Sequence, residues 1–192
     1  MTVLCPVLRP VRRRAARGFT LIELAIVLAI AAILLRAAAP GMTRSVAARA
    51  LAAQVSEFMA ALRFARSEAI KRGTVVTLCA TAPGLQATAC QSGRHADWRH
   101  GWVVFVDGER RGMREAGDPV LRVQQPLQRS GGVAGTRAGI SFTAAGFSTD
   151  AASHFLFSPP AEAAGDAPPP LLVCVSKQGR PRLAGAGAGS CA

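Results

Sequence analysis

The 192-residue chain has no tyrosine, two tryptophans, three histidines and 11 acidic residues against 23 basic ones. Half of its residues are apolar, but alanine is heavily over-represented, so the core it can bury is small. Its acids are scattered singles such as Asp97, Asp107 and Asp118, and no nucleophile stands beside a recognisable base. No catalytic residue is therefore assigned, and the chain does not read as an enzyme. His95, His100 and His154 have no partner identifiable from sequence. Cys90, His95 and His100 are evenly spaced, yet the chain lacks a Cys-x-x-Cys pair or a compact zinc-type cluster, so no metal and no cofactor is expected. Gly185-x-Gly187-x-Gly189 lacks a following helix and reads as a flexible tail rather than a phosphate loop. Trp98 and Trp102 are expected to divide between core and rim.

The length suits one modest domain plus an N-terminal appendage. The formal charge is +12. Arg9, Arg12, Arg13, Arg14 and Arg17 all precede Gly18, where no acid occurs, and removing that stretch leaves a formal +7. Such a balance favours anionic partners such as nucleic acid or lipid headgroups.

After the basic stretch comes FTLIELAIVLAIAAILLRAAA (19–39), with an unbroken apolar run from Leu24 to Leu35. As a helix it would extend about 31 Å, enough for a bilayer core. The arginines before it put the N-terminus in the cytoplasm and the rest of the chain outside. A secretory signal cut after Ala37-Ala38-Ala39 is disfavoured by Pro40 just beyond and Arg36 just before. An uncut anchor leaves Glu23 unexplained, since a carboxylate deep in a bilayer costs roughly 2.5–3.5 kcal/mol on insertion scales.

Arg17-Gly18-Phe19-Thr20-Leu21-Ile22-Glu23-Leu24 resembles the processing signature of type IV pilins and type II secretion pseudopilins. The resemblance implies that a prepilin peptidase cuts between Gly18 and Phe19, that Phe19 becomes N-methylated, and that Glu23 meets a neighbouring subunit's N-terminal amine during assembly. An ion pair there would compensate two charges otherwise stranded in an apolar bundle. Arg36 departs from the pattern; lying four residues before Pro40, it is expected to snorkel toward the outer interface. The predicted partners are the peptidase, other pilins or pseudopilins in a filament, and inner-membrane lipid.

Pro40-Gly41 is expected to interrupt the helix, dividing a membrane segment (19–41) from an amphipathic helix (42–72). In the second, Leu51, Val55, Phe58, Leu62, Ala65 and Ala69 recur at steps of three and four, giving one apolar face. Gly73 should end it. Strand-like stretches follow at Thr74–Ala80, Trp102–Val106, Ile140–Thr143, Phe155–Phe157 and Leu171–Ser176, with a sixth at Val120–Val123. The expected fold is α+β: a long N-terminal helix packed on a mainly antiparallel sheet within a head that runs from 73 to 192. Four cysteines follow the leader, and an even count beyond a membrane segment suggests two disulfides. Of three pairings, Cys79 with Cys90 and Cys174 with Cys191 closes the shortest loops.

Ala65–Ala80, Gly101–Asp107, the turn at Gly146 and Cys174–Arg180 resemble the GspH/FimT branch of these proteins. Gly179-Arg180-Pro181-Arg182 is similar to the GRxR motif of FimT-type minor pilins. That similarity implies an alternative role, capture of duplex DNA through Lys177, Arg180 and Arg182 on a flexible basic turn, by phosphate neutralisation.

Overall fold

The computed structural model describes residues 18–81, 88–109, 112–149, 153–160, 167–184 and 191, the side chains of 37–41 excepted. The basic leader and the glycine-rich tail at 185–190 lie outside the described residues. The chain divides into two compact units between Ala39 and Pro40.

Helix α1 runs from Leu21 to Arg72. It passes through Pro40-Gly41, contrary to the break expected there. Proline removes one backbone donor, and the alanines at 37–39 before it and from Ala47 to Ala53 beyond it favour a helix that continues past that lost bond. Among the described residues no helix is long and apolar enough to cross a membrane. The described apolar side chains of its first half stop at Arg36, and residues 37–41 lie outside them. α1 ends before Gly73, where the Thr74 N–H reaches back to the Ala69 carbonyl in a Schellman closure.

Among the described residues nine strands follow: β1 (Val76–Ala80), β2 (Arg94–Asp97), β3 (Trp102–Val106), β4 (Val120–Gln124), β5 (Gly132–Arg137), β6 (Gly139–Phe142), β7 (Ser153–Ser158), β8 (Leu171–Val175) and β9 (Pro181–Leu183). They form two antiparallel sheets rather than one, ordered β4-β3-β1-β6 and β2-β5-β7-β8-β9. The six strands read from apolar runs are present, Trp102–Val106 with the bounds expected and the other five with shifted ends. β2, β5 and β9 were not anticipated: Arg-His-Ala-Asp, Gly-Val-Ala-Gly-Thr-Arg and Pro-Arg-Leu carry too few apolar side chains to show a period, and neighbours supply their pairing.

The anticipated face of α1 is buried: Leu51, Val55, Phe58, Leu62, Ala65 and Ala69 all belong to the main core. Phe58 is its centre. Its ring meets Phe155 at 4.7 Å, Trp102 at 5.1 Å, and Trp98 and Phe157 at 5.4 Å each, all edge-on. Both tryptophans are fully buried, so neither occupies the rim. Their bulk fills space that the small Ala61, Ala65 and Ala69 of α1's inner face leave open. In the first sheet side chains alternate as the pleat requires. Val76, Leu78 and Ala80 face the main core, while Cys79 joins Val103 and Phe105 on the opposite face.

On that opposite face Asp107, 1% exposed, accepts from the Thr77 hydroxyl at 2.9 Å and the Gly112 N–H at 2.8 Å. The Ser141 and Thr77 hydroxyls are 2.7 Å apart. Asp107 is thus not isolated, but its partners serve to satisfy a buried carboxylate, which would otherwise be costly.

Candidate functional site

Two places collect the residues singled out by sequence. At the start of α1, Gly18, Phe19, Thr20 and Glu23 line an open cavity of about 530 Å³. The Glu23 N–H donates to the Thr20 hydroxyl at 3.3 Å, and the Leu24 N–H to the Thr20 carbonyl at 3.2 Å. Thr20 is therefore an N-cap and Glu23 the third helical residue. Thr-x-x-Glu is the capping-box spacing, and it was legible in the sequence though not used. A carboxylate here also faces the positive end of the helix macrodipole. Phe19, the residue before the cap, is 83% exposed.

The second place lies at the far end of the head helix, where two turns of identical construction meet. In Thr143–Phe147 the Gly146 N–H donates to the Thr143 carbonyl at 2.8 Å, and the Thr143 N–H to the Phe147 carbonyl at 2.9 Å. In Ser176–Arg180 the Gly179 N–H donates to the Ser176 carbonyl at 2.8 Å, and the Ser176 N–H to the Arg180 carbonyl at 3.2 Å. Gly146 and Gly179 hold φ of 78° and 71° at the fourth position, the left-handed residue that closes such three-residue loops. The turns abut so closely that a methyl on Gly179 would overlap the Gly146 carbonyl oxygen. The Ser148 N–H donates to the Lys177 carbonyl at 2.9 Å and locks one turn to the other.

Arg66 completes the junction. Its Nη1 donates to the Gly179 carbonyl at 3.3 Å, while its buried Nε has no partner among the described residues. Helical spacing sets Arg66 off the apolar face of Leu62, Ala65 and Ala69, and tertiary packing makes it a clamp on the second turn.

Lys177 and Arg180 are exposed on this turn, and among the described residues neither meets an acid. Arg182 lies in β9, opposite Cys174, and its Nη2 donates to the Cys191 carbonyl at 3.3 Å. The basic segment is therefore not the flexible turn expected: it is a hairpin end whose second strand pairs with β8. Disulfides join Cys174 to Cys191 and Cys79 to Cys90, with Cα separations of 5.7 and 5.5 Å. The second of these removes the thiolate on which a Cys90–His95–His100 metal site would depend. Among the described residues no three metal-ligating side chains gather. His95 and His154 line one cavity of about 320 Å³ on the second sheet, while His100 accepts from Arg99 elsewhere.

Residues 54–179, most of the head, match the family described as Type II transport protein GspH. The chain belongs to that family. This GspH-family chain also matches the prokaryotic N-terminal methylation motif over residues 13–38, a span that includes Gly18, Phe19, Glu23 and Arg36. The fold is similar to that of the type IV minor pilin FimU of Pseudomonas aeruginosa strain PAO1. That crystal structure, in space group P21, is 20% identical, covers 74% of this chain and 95% of its own, and has a TM-score of 0.53. A second crystal form of FimU, in P65, has a TM-score of 0.49 with coverages of 72% and 97% at 20% identity. No curated protein matches the sequence. The GspH match ends at Gly179, so Arg180 and Arg182 lie just past it.

Proposed function

We propose that the protein is a structural subunit of an extracytoplasmic filament, a minor pilin or type II secretion pseudopilin. On this reading it is anchored in the inner membrane through residues 19–41 and cut by prepilin peptidase between Gly18 and Phe19. The observation that carries the reading is the coincidence of the methylation motif with an exposed Gly18-Phe19 bond that opens directly into a capped helix. Cleavage there frees an amine next to the cap. Glu23 then has two uses: it favours the N-terminus of its own helix, and it offers a neighbouring subunit's methylated amine a countercharge in an apolar setting. Intact mass of the membrane-extracted protein tests the assignment. It should correspond to a chain that begins at N-methylated Phe19; a chain beginning at Pro40 would sink the pilin reading.

A second reading is favoured by the hairpin. Lys177, Arg180 and Arg182 form a cationic stretch held by the β8–β9 pairing, the Cys174–Cys191 bond and Arg66. Such a preformed cationic surface binds nucleic-acid phosphates with little ordering cost and strong salt dependence. Arg180→Ala/Arg182→Ala should weaken duplex DNA binding and reduce the salt slope by roughly two. Equal binding by parent and variant would make these arginines ordinary surface charge.

A further inference from the structure

The turn junction also displays an aromatic ring that neither filament assembly nor phosphate neutralisation uses. Phe147, the last residue of the Gly146 turn, is 53% exposed, and Ile70 on the adjoining helix is 51% exposed. The backbone of Phe147 is pinned from two sides: its N–H donates to the Thr143 hydroxyl at 3.2 Å and its carbonyl accepts from the Thr143 N–H. The next residue, Ser148, is bonded to the Lys177 carbonyl. The exposed ring is thus carried by a hydrogen-bonded turn whose backbone abuts the turn that carries Lys177 and Arg180.

An exposed phenyl ring on a turn that abuts one carrying exposed cations matches what a nucleic-acid strand with free base faces offers: phosphates for the cations and a flat π-surface for the ring. Duplex DNA offers only the phosphates, since its base faces are stacked inside. An apolar protein surface would meet the ring but would leave Lys177 and Arg180 desolvated without countercharge. We propose that Phe147, acting with Lys177 and Arg180 on the abutting turn, is a base-stacking platform, so that this surface takes single-stranded nucleic acid in preference to duplex. The proposal rests on the nucleic-acid reading of the hairpin.

The test uses the full chain in neutral-detergent micelles and a labelled DNA oligonucleotide, offered single-stranded or annealed to its complement. Phe147→Ala should weaken single-strand binding by at least about fivefold, the lower end of one stacked base, while duplex binding stays within about twofold. Phe147→Leu, which keeps apolar bulk without the π-face, should behave like Phe147→Ala and covers the case in which truncation disturbs the turn. Phe147→Trp should restore single-strand binding. Arg180→Ala/Arg182→Ala should weaken both forms. If the Phe147 variants change both forms equally or neither, while the arginine variant still weakens both, the stacking platform is refuted and phosphate binding stands. If the parent binds neither form, the nucleic-acid reading fails and takes this proposal with it.

Discussion

Gly146 and Gly179 occupy the same position of the same turn, with φ within a few degrees of one another, so replacing each with alanine isolates what the new methyl touches. Both variants incur the left-handed penalty, about 1–2 kcal/mol for a residue with a Cβ. Both recover about 0.4–1 kcal/mol because the unfolded chain becomes stiffer. At Gly146 the methyl meets Ile70 Cδ1 at 2.8 Å and Arg66 Nε at 3.0 Å. Ile70 Cδ1 is the end of a flexible side chain that can swing aside, and Arg66 Nε need yield only a few tenths of an ångström while its Nη1 stays on Gly179, so the net loss should be about 1 kcal/mol. At Gly179 the methyl meets the Gly146 carbonyl oxygen. Backbone cannot swing, so one turn must retreat. That movement strains the Ser148–Lys177 bond and the Arg66–Gly179 bond, each worth about 1 kcal/mol. The net loss for Gly179→Ala should be about 3 kcal/mol. Urea unfolding of the full chain in mild detergent, followed by tryptophan fluorescence, reads this directly, because Trp98 and Trp102 are both buried in the head's core. With m on the order of 2 kcal/mol/M, the two midpoints should differ by about 1 M. Coincident midpoints, or a lower one for Gly146→Ala, would refute the packing account of the junction.

Phe58→Ala should destabilise the head by about 3–5 kcal/mol, since it empties the meeting point of four aromatic rings; a loss under about 1 kcal/mol in the same urea assay would mean that the core collapses around the gap. Cys174→Ser/Cys191→Ser opens a loop of sequence separation 17 and should lower stability by about 3 kcal/mol, whereas an unchanged thermal midpoint would show that β9 holds without its tether. Hydrogen bonding from Arg72, and secondarily from Lys71, holds the Glu68 carboxyl below its ordinary value of 4.5. A depressed folded-state value means that the contribution is present above about pH 4.5 and lost as pH falls through the folded value. Glu68→Gln should therefore flatten the acid limb of the stability–pH curve at low salt, and more weakly at high salt; identical limbs for parent and variant at low salt would show that the pair contributes nothing.

Much of the candidate site was legible because its signals are local. Gly18, Phe19 and Glu23 sit within six consecutive residues, and the capping-box spacing of Thr20 and Glu23 was there to be read as well. The turn sequences Thr-Ala-Ala-Gly-Phe and Ser-Lys-Gln-Gly-Arg also carry their left-handed glycine in plain view. That the two turns dock on one another was not legible, because the contact joins segments more than thirty residues apart in the chain. Arg66 illustrates the same limit. Helical periodicity sets it off the apolar face, and only the arrival of Gly179 decides that its guanidinium is a clamp.

By itself the sequence determined what short-range chemistry can specify. It set the apolar segment with an acid near its start, the apolar face of the head helix, the six strands rich in β-branched and aromatic residues, and an even complement of cysteines beyond residue 18. Tertiary structure alone decided the remainder. It split the strands into two sheets, recruited β2, β5 and β9 from segments with no period of their own, and buried both tryptophans around Phe58. It also selected one cysteine pairing out of three and turned a basic run into a braced hairpin. The reason is physical: backbone periodicity and capping depend on residues a few positions apart, whereas strand partners, ring packing and turn docking depend on which distant segments the collapsed core brings together.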